Sequence, residues 1–470
     1  MSEKNSHYDV IIIGSGFAGI AAADILSDND VNVLLIDENI HIGGQLLRKI
    51  PEELGKDESY QPDKIKETGF RFVDKVKEKK ITIMNRATLL GVYPGKEILV
   101  DHNRAKTARF TYEYLLFATG ARERFFPFKG WTLPGVYSAG MLQVLIKSFG
   151  VLPAGKTLIA GSGLFLFAAA HEYLKQGGEL MGIMEQSPFM NKVQFFPQIL
   201  YQLPKLAEGA KYLSKIYGSG VPVKYRRHVV EARGDKQLEE VVVAKLDRKG
   251  QVISGTEKTY STQTLITGYG FVPNIEAPQM AGCALDFSSE RGGWTVRVND
   301  RLETSINDIL AAGEITGVGG APKSLNEGKI AAHTILEKMG KRSPKESGTV
   351  MKKLSKRRKH DMGFVKCFNS LYRIKPETLL SIPDDTVICR CESVDMKAIK
   401  DAVDMGCLNP NALKVSTRCT MGPCQGRTCG PVIYDILQIL CEKDQNEIGM
   451  FSARPPLKPV SIHALNERMK

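Results

Sequence analysis

The 470 residues are enough for two or three domains, and 43% hydrophobic with 25% charged residues is ordinary for a globular protein. No apolar run approaches the roughly 20 residues that span a bilayer, and MSEKNSHYDV runs directly into a strand without a signal-peptide core. A cytoplasmic protein is therefore expected, peripheral at the inner face of a membrane only through partners. The net charge of +12 does not by itself indicate nucleic acid, because the basic residues form no stripe with interleaved aromatics.

The first strong pattern is VIIIGSGFAG, Val10–Gly19: a four-residue apolar run, then G-x-G-x-x-G at Gly14, Gly16 and Gly19. A run with no polar side predicts a parallel strand buried on both faces. The first glycine permits the tight turn, the second lets backbone reach a pyrophosphate, and the third packs helix on strand. The helix that follows, about 17–26, points its N-terminal N–H groups at the phosphates. A second apolar strand, 31–36, ends in Asp37, 23 residues beyond Gly14, where a ribose-binding acid belongs; Glu38 is the alternative. A bound adenine dinucleotide is expected, against the alternative of a bare glycine turn.

Next comes HIGGQLL, His41–Leu47, where Gly43 and Gly44 let backbone lie near a flavin nucleotide and Gln45 follows. No cysteine precedes Cys283, which excludes a dithiol–disulphide mechanism for this domain. A helix with a basic face is expected over 64–80, then short strands near 81–83, 87–92, 97–101 and 109–114 forming a β-meander. LLFATG ends a buried strand at Ala118, Thr119 and Gly120, small residues that let the backbone approach a cofactor.

A second strand–turn–helix begins at Lys156. Gly161 and Gly163 match the first two glycines, but the third position holds Leu166, whose side chain should push helix and strand apart. The strand near 179–184 ends at Glu185, a second candidate ribose acid. NAD(P), ATP or no ligand at all remain open here. Helix is expected over 192–217, broken or kinked by Pro197 and Pro204, and strands around a polar turn over 221–246. TLITGYGFVPN, 264–274, should lead back to the first domain. ILAAGEITGVGG then brings a strand to Gly313 and Glu314 before a helix over 323–336, where a carboxylate can hold a flavin's ribityl hydroxyl.

The polar stretch after Met339 contains KKLSKRRK, Lys352–Lys359. It is read as a solvated basic linker, with contact to an acidic partner or anionic lipid as the alternative. Nine cysteines are present, six of them between Cys389 and Cys429; an odd total without a secretion signal argues for metal binding over disulphides. Cys389-Arg390-Cys391 is C-x-C, and Cys424 to Cys429 is C-x4-C after a gap of 32 residues; Cys419 to Cys424 is also C-x4-C. Zinc is the competing metal, although C-x-C with C-x4-C is unlike the C-x2-C pairs of structural zinc sites.

The first glycine turn, Ala118-Thr119-Gly120, Thr267–Gly270 and Gly313-Glu314 together resemble the two-dinucleotide-domain flavoproteins that include glutathione and thioredoxin reductases. The resemblance covers about residues 7–340. It implies an α/β fold with two Rossmann-like three-layer domains and FAD in the first, through Gly14, Gly16, Gly19, Asp37 or Glu38, Gly44, Gln45, Ala118–Gly120, Gly313 and Glu314. The second, lower-ranked nucleotide site would use Gly161, Gly163 and Glu185. The cysteine segment resembles the bacterioferritin-associated-ferredoxin type of [2Fe–2S] domain, small and mostly helical, which implies Cys389, Cys391, Cys424 and Cys429 as ligands; its C-Q-G-R-x-C pattern selects Cys424 and Cys429 and leaves Cys419 spare. With ARPPLKPV, 453–460, the whole chain resembles the A subunits of opine oxidases and the matching subunit of hydrogen cyanide synthase. That resemblance implies a separate partner subunit of the D-amino-acid-oxidase type, oxidation of a secondary amine or amino acid, and electron flow to the respiratory chain. An NAD(P)H-dependent reductase passing electrons through the cluster to a protein acceptor is the alternative. The division expected is 1–125 with 265–340 for FAD, 126–264 for the second nucleotide-type domain, 341–380 as basic linker, 381–445 for the cluster and 446–470 as a proline-containing tail. No catalytic acid or base can be named, and the eight histidines form no dyad or triad.

Overall fold

Four aliphatic residues, Val10–Ile13, place the C-terminal half of β1 (Ser6–Ile13) wholly inside the protein. The computed structural model describes residues 6–48, 64–188 and 203–467. β1 lies between β2 (Val33–Ile36) and the long β6 (Lys106–Phe117), parallel to both, with Ile13 opposite Ile36 and Phe117. β3 (Thr82–Met84) extends the parallel sheet beyond β2, whereas β4 (Ala87–Tyr93) and β5 (Glu97–His102) form an antiparallel meander on the first half of β6. The second half of β6 pairs in parallel with strand Ile309–Ala311. Thus the segment at 81–83 belongs to the parallel part rather than the meander, because Leu34–Ile36 offer it a free edge.

Helices Phe17–Ser27 and Ala321–Lys338 pack on one face of this sheet, where Phe17, Ile20 and Leu26 meet Ile330, Ala331 and Ile335 in a continuous core. Each such fully buried aliphatic or aromatic side chain stabilises by roughly 1.5–3 kcal/mol. On the other face Met84, Ile98 and Phe110 of the sheet pack with Val296 and, from the far C-terminus, Leu457.

The chain leaves this unit through β7 (Ala121–Glu123) and builds a second, all-parallel sheet. Its strands are β8 (Val136–Ser138), β9 (Thr157–Gly161), β10 (Leu180–Glu185), β11 (Val223–Tyr225) and β15 (Thr264–Gly268), in the order 11-10-9-15-8. An antiparallel three-stranded sheet, β12 (Arg227–Arg233), β13 (Glu240–Leu246) and β14 (Val252–Ser261), lies beside it. The return passes through β16 (Phe271–Pro273), which pairs antiparallel with β7, so both crossings lie side by side. Residues 264–268, assigned from sequence to the returning flavin segment, instead sit between β9 and β8. Their apolar run needed cover on both faces, and the second sheet supplies it. The expected helix at 192–217 is seen as Leu203–Gly218, with Pro204 in its first turn, where a missing N–H breaks no bond. Pro197 lies outside the described residues.

The stretch 341–380, expected as a linker, contains the 28-residue helix Pro344–Leu371. Ser343 and Glu346 form a reciprocal capping box, and Pro344 occupies the first turn. Met351 and Leu354 pack on the first domain's core. Beyond it, a third core gathers Ile388 from strand Val387–Cys389 with Ile399, Leu413, Ile433 and Leu437 from helices Met396–Asp404, Pro410–Thr417 and Gly430–Leu440. The tail is docked: the Leu457 N–H donates to the Leu90 carbonyl, and the Thr107 N–H to that of Glu467.

Candidate flavin site and cysteine cluster

At the first turn a side chain on Gly14 would stand 2.3 Å from the Ala118 carbonyl oxygen, whereas nothing lies within 4 Å of a Cβ built on Gly16. Gly16 is the N-cap of helix Phe17–Ser27 and has no capping side chain. The space in front of it is the cradle that an FAD pyrophosphate would fill. Gly44 closes on this cradle, so near that a methyl group on it would stand 2.9 Å from the Gly16 Cα, and Gly43 N–H donates to Ser15 O at 2.9 Å. Gln45 instead points outward and accepts from Arg48 Nε. Asp37 is buried; its Oδ2 accepts from Ser15 N–H at 2.7 Å and from the Ser15 hydroxyl, and its Oδ1 accepts from the Asn39 N–H and side-chain amide. A ribose hydroxyl would have to compete with Asn39. Glu38 is exposed and ion-paired with Lys458 of the tail.

Ala118 continues β6 by donating to Ile13 O, and Thr119 and Gly120 lock onto Asn274: the Thr119 hydroxyl donates to Asn274 O, and the Asn274 amide to Thr119 O. Gly313 and Glu314 follow strand Ile309–Ala311. Glu314 Oε1 accepts from Gly319 N–H, Gly320 N–H and the Ser324 hydroxyl, while Oε2 has no partner among the described residues. Beneath them lies a network that the sequence reading did not find. Glu327 Oε2 accepts from Gly313 N–H and the Thr316 hydroxyl, and the carboxylate pairs with Lys323 at 3.1 Å and Arg358 at 2.9 Å. Lys323 Nζ in turn donates to Gly313 O, Thr316 Oγ1 and Gly317 O, each at 2.7 Å. Burial raises the Glu327 carboxyl, but Lys323 and Arg358 outweigh it and leave its pKa below the ordinary value. A visible signal was Lys323–Glu327 at i, i+4 just before the apolar run Ile330–Ala332.

The second turn repeats the geometry with different surroundings. Nothing lies within 4 Å of a Cβ on Gly163, and Glu185 accepts from Gly163 N–H at 3.3 Å and Ser187 N–H at 2.8 Å. Leu166 is buried and lies against Gly268, where a methyl would come within 2.9 Å of its Cδ2. The missing third glycine is thus accommodated from the strand side, not by separating helix and strand. Residues after helix Pro344–Leu371 lie over the turn: Ser162 Oγ donates to Tyr372 O at 3.1 Å, and the Gln186 amide to Thr378 Oγ1 at 3.2 Å. A cavity of about 670 Å³ connects this turn with Gly270, Glu314 and Gly320 on one side and with Gln425, Gly426 and Arg427 on the other.

Five cysteines converge at the third core, Cys389, Cys419 and Cys429 within it and Cys391 and Cys424 at its edge, none in a disulphide. Cys389 hydrogen-bonds with Cys419 and Cys429, and Cys424 with Cys429 and Cys391. Cys389, Cys419 and Cys429 are buried, and Cys391 is exposed. Hydrogen bonds from Cys419 and Cys429 pull the Cys389 thiol down to about 2, and that from Cys429 pulls Cys424 down to about 4. Cys419 and Cys429, hydrogen-bonded to Cys389, are pushed up, as is Cys391 by burial. Backbone N–H groups of Thr420 and Glu392 point at Cys389, and that of Thr428 at Cys424. Among the described residues, no three His, Cys, Asp or Glu side chains are arranged to hold a metal ion. Of the arginines next to the cysteines in sequence, Arg390 lies over the Trp131 ring, Arg418 pairs with Glu392, and Arg427 donates to Cys424 O and Leu457 O. The Arg427 carbonyl accepts from Arg122 Nε at 3.0 Å, and Arg122 is held by Glu276 at 2.7 Å. This clamp fastens the cysteine loop to the crossing strands.

The two sheets and the first turn define the class. Residues 8–334 match the pyridine nucleotide-disulphide oxidoreductase family, and the chain belongs to that family of flavin-dependent oxidoreductases. Residues 385–468 match the sarcosine oxidase A3 domain, which is the family found where the cysteine spacing suggested a ferredoxin type. Over 97% of both chains, it is 31% identical to the HcnB subunit of hydrogen cyanide synthase from Pseudomonas aeruginosa. It is 27% identical to the A chain of the opine oxidase of Agrobacterium tumefaciens, over 99% of this chain and 92% of that one. In structure it is similar to L-proline dehydrogenase from P. horikoshii, with a TM-score of 0.71 at 21% identity, covering 99% of this chain and 81% of that one.

Proposed function

We propose that this chain is the electron-transfer subunit of a hetero-oligomeric amine or amino-acid dehydrogenase. FAD would occupy the first glycine turn, and a [2Fe–2S] cluster would be held by Cys389, Cys391, Cys424 and Cys429. A flavin handles electrons in pairs or singly and an iron–sulphur centre one at a time, so together they split a two-electron equivalent. The observation that carries this reading is the shared cavity, which brings the Glu314–Gly320 turn and the cysteine loop 425–427 to one space. The chain's own residues position: Asp37 shapes the turn, Glu314 lines the cavity, and Arg122 holds the cysteine loop through the Arg427 carbonyl. What supports a cluster is the C-x-C and C-x4-C thiols and the backbone N–H groups aimed at Cys389 and Cys424; as they stand, no three of these side chains are set to hold a metal. Seating a cluster requires them to leave their mutual contacts.

Electrons would enter from a separate flavoprotein partner of the D-amino-acid-oxidase type and leave towards the respiratory chain. The substrate class is a secondary amine or amino acid: an opine, proline or hydroxyproline, sarcosine or glycine. The opine oxidase subunit and L-proline dehydrogenase among the named relatives support this class. The reductase alternative draws support from the open space at Gly163, but Tyr372 and Thr378 lie over the rest of that turn. No helix among the described residues is long and apolar enough to cross a membrane. The test is iron, acid-labile sulphide and flavin content of the purified chain, beside Cys424→Ser. Iron and sulphide should be present and be lost in the variant while flavin stays. Iron unchanged in Cys424→Ser would move the ligand role to Cys419, and a parent chain free of iron and sulphide would overturn the cluster.

A further inference from the structure

Helix Pro344–Leu371 turns Met351, Leu354 and Arg358 towards the protein, Arg358 to pair with Glu327. At about 100° per residue, Lys352, Lys353, Lys356, Arg357 and Lys359 then fill an arc of roughly 160° on the opposite side. All five are exposed, and none has an ion-pair partner among the described residues. No acid interrupts 352–359. The patch continues sideways. Lys329, on helix Ala321–Lys338, is depressed by partial burial and by the charge of Arg357, opposed by Asp24, with Lys75 of helix Lys64–Glu78 adding to the depression. Lys75 and Lys329 both stand over the Phe72 ring, at 6.0 and 5.4 Å. Helix 64–78 adds exposed Arg71 and Lys77 but also Asp74 and Glu78, so the excess of charge rests on 352–359.

The composition of this face selects its partner. Packed protein interfaces are rich in aromatic residues, methionine and arginine and poor in lysine. Here four of the five cations are lysines, and Val350, 43% exposed, is the one large apolar side chain standing out on this helix. Flexible ammonium groups without an apolar anchor suit a diffuse layer of phosphates, and clusters of four to eight basic residues are what anionic bilayers attract. We infer that the exposed face of helix Pro344–Leu371, with Lys75 and Lys329, docks this chain directly on an anionic phospholipid surface. The inference stands apart from the electron-transfer reading and adds to it. The same helix reaches the cavity wall at Phe364 and Phe368, so docking would hold the cavity close to the bilayer.

The test is sedimentation of the full chain with vesicles of phosphatidylcholine alone or mixed with phosphatidylglycerol, at low and high salt. Binding is expected only to the mixed vesicles and only at low salt. Each basic residue lost should weaken partitioning about fivefold, so Lys353→Glu/Lys356→Glu/Arg357→Glu should lose about a hundredfold or more. Lys397→Glu, whose lysine pairs with Asp401 in the C-terminal unit, should bind like the parent. Flavin content per chain, unchanged in both variants, separates lost docking from lost folding. Equal binding to both vesicle types, or a triple variant that binds like the parent, would overturn the inference. So would salt-sensitive binding to duplex DNA with none to vesicles.

Discussion

The two glycine turns share a plan and differ in what the rest of the chain does to them. Each follows a buried parallel strand, and each has an acid at the end of the next strand that accepts from backbone N–H groups of the turn. At the first, the space before Gly16 is open and the Gly43-Gly44 loop lies beside it. At the second, Leu166 takes the third glycine's place and fits against Gly268, and Tyr372 and Thr378, about 200 residues downstream, bond to Ser162 and Gln186. A fingerprint therefore specifies the turn's backbone, whereas occupancy depends on segments remote in sequence.

The largest effect should come from beneath the first turn. Glu327→Ala leaves Lys323 buried without its counter-ion and should cost about 3–5 kcal/mol in denaturant unfolding. Because the folded pKa of Glu327 lies below its ordinary 4.5, its contribution is complete above pH 4.5 and is lost as pH falls through the folded value. The variant should therefore flatten the decline of stability on the acid side; an unchanged acid profile would show that the network is not what holds this turn. Next, Leu166→Ala at the second turn should cost about 2–4 kcal/mol, measured the same way, and leave flavin content unchanged. If flavin is lost with it, the two turns are not independent.

The sharpest contrast pairs equivalent glycines. Gly16→Val should fill the cradle and lower bound FAD at least tenfold, about 1.4 kcal/mol, by absorbance after gel filtration. Gly163→Val should keep its FAD while losing about 1–3 kcal/mol of stability, because Gly163 sits at a φ of +128°. Retained FAD in Gly16→Val would remove the site. Smallest, Ser162→Ala forfeits one hydrogen bond to Tyr372 O, about 1 kcal/mol. Faster hydrogen exchange confined to residues 372–378 is the readout, and no change would mean that this bond does not fasten the cover.

Much of the fold could be read from local pattern. Val10–Ile13 with three glycines specified strand, turn and helix, and Thr264–Gly268 was recognisable as a buried strand, although not as a member of the second sheet. Sheet membership depends on pairing partners more than 100 residues away, which periodicity does not carry. The helix at 344–371 was hidden because the cations of 352–359 mask the inward stripe of Met351, Leu354 and Arg358. Ser343-Pro344 with Glu346, a capping box with proline in the first turn, was the signal that marks its start. The cysteine cluster was legible in composition, but Cys419 is hydrogen-bonded to Cys389, as the expected ligand Cys429 is. Spacing alone does not report that.

In the function proposed above, electrons reach the flavin from a partner protein and not from a nicotinamide at the covered second turn. The direct measurement is anaerobic: NADH, then NADPH, is added to the purified flavin-loaded chain while flavin absorbance is followed, with dithionite as the final addition. The account predicts no bleaching by either nicotinamide and full bleaching by dithionite. Rapid bleaching by NADH or NADPH would contradict it and establish the second domain as the point of hydride entry.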